Sequence, residues 1–282
     1  MSTLLISLIS DQTTPNLLLI KEFPQVDRHL FVTTPEMERK NQSEHLRQAT
    51  GLAAEQIEKI QVEADSLDDV QQKLEKVKFA DDDHFLVNLT GGTKLMSIGV
   101  YNFFRNLSSE MFYIDIRKHT FRKVFPVVKR KENPLKYELS LKEYLTGYGL
   151  VITNEADINA LIRDSAYTTA FYKKFLSFSE FDHSLISALR ANRKKRIPLD
   201  ETESTMLKKR WGFALEADGY IDKHEIRYLT GEWFEEYVYN WMKTFLKLDD
   251  RQIGAGVSIK RQDVENEFDV LFYHNHTLSV IE

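Results

Sequence analysis

Two groups of residues carry the chemistry open to this sequence. The first is Asn88-Leu89-Thr90-Gly91-Gly92-Thr93-Lys94-Leu95-Met96. An apolar run, Phe85-Leu86-Val87, precedes it and a helical pattern to about Leu107 comes after it. The segment therefore reads as strand, glycine loop, helix. Gly91 and Gly92 allow a tight turn and close approach of the backbone to a ligand. Thr90, Thr93 and Lys94 add hydroxyls and one positive charge at a helix N-terminus. The free N–H groups and dipole of that end suit an anion such as phosphate. The alternative is a tight turn with a satisfied cap. The spacing matches neither the dinucleotide fingerprint nor the P-loop, so the loop alone names no ligand.

The second group is acidic and lies near the end of the chain. A helical pattern over 226–246 carries Trp233, Phe234, Tyr237, Val238 and Trp241 at helical spacing, which reads as core packing. Glu235 and Glu236 sit within it, and at least one falls at the edge of the buried face. A strand over 254–259 comes next, then two more runs, 267–273 and 278–282, joined by His274-Asn275-His276-Thr277 as a hairpin turn. A loop of two or four residues sets Asp269 directly opposite Glu282, on one face of the hairpin. Phe268, Val270, Leu271, Val280 and Ile281 around them are apolar. Two carboxylates side by side in such surroundings repel and resist desolvation, and a divalent cation relieves both problems. The alternative is a frayed end with both acids in water; an odd loop would break the pairing.

Strands alternating with helices must position the first group. Strands are expected over 4–10, 29–33, 57–62, 85–89 and 111–116, with an edge hairpin over 121–128. Helices are expected over 15–23, over 36–50 ending at Gly51, and from Ser66. In the last, Asp69 echoes a capping box and Leu67, Val70, Leu74 and Val77 share a face. This alternation predicts an α/β fold with a mostly parallel sheet covered on both faces. Ligands bind such sheets beyond the carboxyl ends of the strands, where Ser10-Asp11-Gln12, Thr33-Thr34-Pro35-Glu36 and the glycine loop converge. Ser140-Leu141-Lys142-Glu143 is a second capping box, opening a short helix near the first domain boundary. Residues 157–215 read as helical and irregular. Their basic run, Arg190-Ala191-Asn192-Arg193-Lys194-Lys195-Arg196, is a phosphate-contacting patch or a solvated loop, without interleaved aromatics.

Composition narrows the classes. The chain of 282 residues is long enough for two domains and a connector. It has no cysteine, which removes disulfides and thiolate chemistry and fits a reducing cytoplasm. A net charge of −5 argues against a general nucleic-acid coat but leaves room for a local basic groove. Asp11 follows the apolar start at once and no basic residue precedes it, so that start reads as a buried strand rather than a signal sequence. No window approaches a membrane span.

The motifs together resemble the ancillary nucleases of type III CRISPR systems. These join a CRISPR-associated Rossmann-fold (CARF) sensor to a restriction-endonuclease-like domain of the PD-(D/E)xK pattern. The resemblance rests on Ile9-Ser10-Asp11-Gln12-Thr13, Val32-Thr33-Thr34-Pro35-Glu36-Met37, the stretch from Val87 to Ser97, Leu139-Ser140-Leu141-Lys142-Glu143-Tyr144-Leu145, and Gly231-Glu232-Trp233-Phe234-Glu235-Glu236-Tyr237-Val238-Tyr239. Residues 155–220 match weakly. The resemblance implies a CARF domain over 1–140, a mainly helical connector over 141–222 and a partial nuclease domain over 223–282. It implies a homodimer that binds a cyclic oligoadenylate, tetra-adenylate first. Ser10, Gln12, Thr34, Thr90, Gly91, Gly92, Thr93, Lys94 and Met96 would line that ligand. It implies a divalent metal (manganese or magnesium) at Asp269 and Glu282, with Glu235 as the helical acid. The substrate would be single-stranded DNA or RNA, with nicking of duplex DNA in some members.

The family's lysine lies two residues after the second acid, at what would be position 284. The expectation is that the 282-residue chain binds ligand but cuts poorly or not at all. The competing expectation is an inactive sensor or nucleic-acid-binding regulator. An ordinary nucleotide-binding enzyme is disfavoured, because the dinucleotide fingerprint and its ribose-binding acid are missing.

Overall fold

The computed structural model describes every residue except Met1, 128–130, 177–182, 214 and 216–217. The chain divides into two compact units. Unit 1 holds Met1–Ile152, Ile259–Glu265 and Tyr273–Leu278; unit 2 holds Thr153–Ser258, Asn266–Phe272 and Ser279–Glu282.

In unit 1 β1 (Thr3–Leu8), α1 (Thr14–Glu22) and β2 (Arg28–Thr33) open the fold. The expected helix over 36–50 is two: α2 (Pro35–Arg39) and α3 (Gln42–Thr50). The break falls at Asn41, whose φ of 56° cannot continue a right-handed helix, and asparagine tolerates that conformation better than most residues. Gly51 caps α3 at φ 75°, as expected. Next come β3 (Ile57–Gln61) and α4 (Leu67–Glu75). Ser66 caps α4 by accepting from Asp69 N. The box is not closed, because the Asp69 carboxylate accepts from Glu63 N instead. Val70 and Leu74 are the buried residues of α4, and Val77 lies beyond its end. After α4 the unit continues through β4 (His84–Asn88), α5 (Lys94–Phe104), β5 (Ser109–Asp115), β6 (Thr120–Phe125), β7 (Glu132–Pro134), α6 (Leu141–Gly147) and β8 (Val151–Ile152). Val128 of the expected hairpin lies outside the described residues.

The main sheet has the order β3-β2-β1-β4-β5-β6-β7. Its first five strands are parallel; β6 and β7 are antiparallel at one edge. β1 is buried from Leu4 to Leu8, as a parallel strand covered on both faces must be. The core joins Leu4, Ile6, Leu8, Val32, Val87 and Met96 with α4 and α5. The strand order reverses between β1 and β4, and the crevice beyond their carboxyl ends is where such folds hold ligands.

Unit 2 begins with α7 (Ser165–Leu176) and α8 (His183–Ala191), then β9 (Ile197–Pro198) and α9 (Glu201–Thr205). β10 (Tyr220–Ile221) pairs with β9. α10 (Lys223–Arg227), a π-turn (Tyr228–Glu232) and α11 (Trp233–Leu246) run on with helical backbone angles between them. Two of the chain's tryptophans are deep in this unit, Trp211 (1% exposed) and Trp233 (6%), but Trp241 is 52% exposed. The expected core stripe is therefore split. Trp233 packs inward while Phe234, Trp241 and Phe245 lie on the open face, Trp241 stacked on Phe245.

β11 (Ile253–Arg261), β12 (Val264–His274) and β13 (Thr277–Ile281) form a second sheet with β8, in the order β13-β12-β11-β8. The β12–β13 loop is the two residues Asn275 and His276, with φ of 48° and 61°. Positive φ at both positions marks the hairpin turn that matches strand twist.

Candidate functional site

The glycine loop of unit 1 is braced from beneath. Asn88, at the end of β4 and fully buried, donates to Asn16 Oδ1 (2.8 Å) and accepts from Thr90 N (3.0 Å). Asn16 in turn donates to the Leu8 carbonyl at the end of β1 (2.8 Å). One polar chain thus links the two strand ends at the point where the sheet order reverses. Gly91 packs on the same Leu8 carbonyl, and a methyl group there would overlap its oxygen. Gly92 has φ 70°, with Leu8 and Met96 against it.

Several hydroxyls here serve the fold. Thr90 Oγ1 accepts from Ile114 N (2.8 Å). Thr93 caps α5 by accepting from Met96 N (3.2 Å) and donates to the Ala64 carbonyl. Thr34 is buried and caps α2 by accepting from Met37 N (3.3 Å). Met96 is a core residue, 1% exposed, so its side chain is not offered to a ligand from outside. What the loop presents is the exposed Lys94 and the first N–H groups of α5, which have no intrahelical acceptor. Beside it Gln12 is exposed and Ser10 half-buried, its hydroxyl donating to the Gln12 carbonyl (3.3 Å). Asp11 is held by Lys40 (2.9 Å). The Asn16–Asn88 brace was missed in the sequence. Its signal was a polar residue directly before Leu17-Leu18-Leu19, in a helix buried along most of its length.

In unit 2 Glu235 and Glu236 differ sharply. Glu236 is fully buried, and its Oε1 accepts from Asp164 N (2.9 Å) at the start of α7. Glu235 is half-buried and lines a cleft of about 510 Å³ with Lys194, Lys223, His224, Arg227 and Glu232. Burial, then the charges of Asp269, Glu232 and Glu267, push the Glu235 carboxyl up to about 7, with Arg227 opposing. Glu235 and Asp269 are thus close enough to repel. Glu282, exposed beyond β13, is not among the principal charges acting on Glu235. The two-residue hairpin loop is one of the lengths that sets Asp269 opposite Glu282. Among the described residues no three His, Asp or Glu side chains converge as a metal-binding group. Magnesium, however, is commonly held by one or two carboxylates, completed by water and substrate phosphates. The undercompensated Glu235–Asp269 pair fits that demand in charge. Glu232 and Glu267 were not singled out in the sequence, because only the folded arrangement gives them a shared neighbour.

Solved structures share this architecture. Can2 from Sulfobacillus thermosulfidooxidans, in complex with cyclic tetra-adenylate, superposes with a TM-score of 0.68 at 22% identity, over 100% of this chain and 79% of that one. The protein VC1899 from Vibrio cholerae gives 0.70 at 14% identity, over 99% of this chain and 79% of that one. A type III CRISPR defence DNA nuclease activated by cyclic oligoadenylate gives 0.61 at 17% identity, over 99% of this chain and 39% of that one. At these identities the likeness speaks for fold. No curated protein matches the sequence. The Card1 CARF domain family matches residues 4–144, half of the chain, and the Card1-like endonuclease domain matches 222–282. The chain belongs to the Card1 CARF family, a sensor domain here followed by a Card1-like endonuclease domain.

Proposed function

We propose that the chain is a cyclic-oligoadenylate-activated, metal-dependent nuclease of type III CRISPR defence that cuts single-stranded nucleic acid. The observation that carries this reading is the Glu235–Asp269 pair, two mutually repelling carboxylates within the part that matches an endonuclease domain. Asp269, Glu235 and Glu282 would hold the cation, which supplies Lewis acidity at a phosphodiester. The Glu235 carboxyl exchanges its proton near neutral pH, and a bound cation would displace that proton. On the sensing side Ser10, Gln12, Lys94 and the amides opening α5 meet the ligand's phosphates. Thr34, Thr90, Thr93 and Met96 act there by shaping the backbone rather than through free side-chain groups. Cyclic tetra-adenylate is the proposed ring, supported by the Can2 complex. A two-fold ligand suits a homodimer that uses each loop twice.

The test is cleavage of labelled single-stranded DNA and RNA with manganese, with and without cyclic tetra-adenylate. Cutting should rise with the ligand. Asp269→Ala should abolish it while ligand binding by calorimetry stays unchanged. Metal-independent cutting, or full activity in Asp269→Ala, would overturn the proposal. A second reading is a sensor that binds nucleic acid without cutting it. It is favoured by the lack of a converging three-carboxylate group among the described residues. Ligand binding with no cutting under any metal would select it.

A further inference from the structure

The basic run 190–196 divides by residue type. Its arginines are engaged inside unit 2. Arg193 donates from Nε to Thr230 Oγ1 (2.8 Å) and from Nη2 to the Thr230 carbonyl (2.9 Å). Arg190 reaches the same carbonyl (3.4 Å). Arg196 pairs with Asp218 and lies 4.6 Å over the Tyr220 ring. Lys194 is different. It is exposed, lines the 510 Å³ cleft beside Glu235, and has no ion-pair partner among the described residues. Lys223, at the start of α10, is exposed and unpaired in the same way and lines the same cleft. Arg227 also reaches it but is partly neutralised by Glu232 at 2.8 Å.

Two uncompensated ammonium groups in the same cleft as Glu235, whose carboxyl also feels the charge of Asp269, make a site of mixed sign. A phosphodiester strand satisfies the lysines, and a cation satisfies the acids. Lysine suits this role because its charge is compact, its stem is flexible, and it needs no fixed approach angle. His224 is the single aromatic ring lining the cleft among the described residues; the rest of the lining is charged or glycine, so charge contacts outnumber stacking surface. Contacts of this kind position a strand and carry no sequence information.

We propose that this cleft is the substrate-backbone subsite: Lys194 and Lys223 hold the phosphates of a nucleic-acid strand next to Glu235 and Asp269, and they select by charge rather than by base. The proposal rests on the nuclease reading for its chemistry, but its test does not need cutting. Binding of a fluorescein-labelled oligothymidylate to the full chain is measured by anisotropy without divalent metal, across a salt series. In Lys194→Ala/Lys223→Ala the slope of log K against log salt should become shallower by about 1.4, about 0.7 for each phosphate contact on a single strand. At 0.1 M salt this corresponds to a loss of roughly 25-fold in affinity when referred to 1 M. Lys76→Ala, which removes an exposed charge of unit 1, should leave the slope unchanged. Oligodeoxycytidylate should bind as oligothymidylate does. An unchanged slope in the double variant, an equal fall in Lys76→Ala, or a strong base preference overturns the subsite. A chain that cuts but keeps its slope loses the subsite and remains a nuclease. A chain that loses its slope but never cuts keeps the subsite and is not one.

Discussion

At the scale of single residues, position decides which members of a motif can act. In Thr90-Gly91-Gly92-Thr93-Lys94 the threonines are turned to backbone partners, and the glycines exist to let the loop lie on β1. Lys94 is the exposed charge that remains. Gly91→Ala must push the loop off the Leu8 carbonyl and should cost roughly 1–3 kcal/mol or more of stability, as overpacking does. Lys94→Ala should leave the melting temperature where it is and weaken binding of cyclic tetra-adenylate, because it removes an exposed charge that has no ion-pair partner among the described residues. Thermal melts and calorimetry on the two variants separate these effects. Equal melting temperatures, or unchanged ligand affinity in Lys94→Ala, would contradict the division. The motif itself was legible in the sequence, since strand, glycines and helix succeed one another directly. The fate of each hydroxyl was not, because Ile114 and Ala64, which engage Thr90 and Thr93, come from distant parts of the chain.

At the scale of elements, the π-turn ahead of α11 organises the acidic site. An inserted residue interrupts the regular helical ladder and rotates the remainder of the helix by about 100°, since a turn holds 3.6 residues. A helix interrupted in this way needs donors from elsewhere, and Arg193 and Arg190 supply them to Thr230. Gly231 leaves room, for a Cβ there would meet Arg193 Nη2 at 3.0 Å. The rotation helps set which glutamate is buried against α7 and which faces the cleft. Arg193→Ala should therefore destabilise unit 2 by roughly 2 kcal/mol, in line with loss of charge-assisted hydrogen bonds to a buried group. Arg193→Lys should recover less than half, since one ammonium cannot copy the two-pronged contact. A melt indistinguishable from the parent chain would mean that other contacts hold the turn. Periodicity over 226–246 announced the helix but not this irregularity, and so could not separate Glu235 from Glu236. The break at Asn41 escaped for a similar reason. Composition over 36–50 is uniformly helical, and one left-handed residue leaves little trace in it. The hairpin, by contrast, was readable, because two apolar runs around a short polar loop leave few registers.

At the scale of the whole molecule, the alternating pattern of unit 1 made its sheet legible as far as Phe125, whereas unit 2 packs through aromatic contacts among helices that no simple period announces. Phe171, Trp211, Tyr228 and Trp233 meet in one cluster from widely separated parts of the sequence. The placement of these rings has an optical consequence. All three tryptophans of the chain, Trp211, Trp233 and Trp241, belong to unit 2, and the glycine loop belongs to unit 1. Emission excited at the indole band therefore reports on unit 2 alone, with Trp241 as its solvent-exposed component. Cyclic tetra-adenylate should change the colour or quenching of that emission only if occupancy of the loop is felt in the other unit, and Lys94→Ala should shift the response to higher ligand concentration. Calorimetric binding with a silent spectrum would mean that the signal stops short of the indoles. The chain thus carries its own built-in fluorophore for testing, without a label, whether occupancy of the glycine loop reaches unit 2.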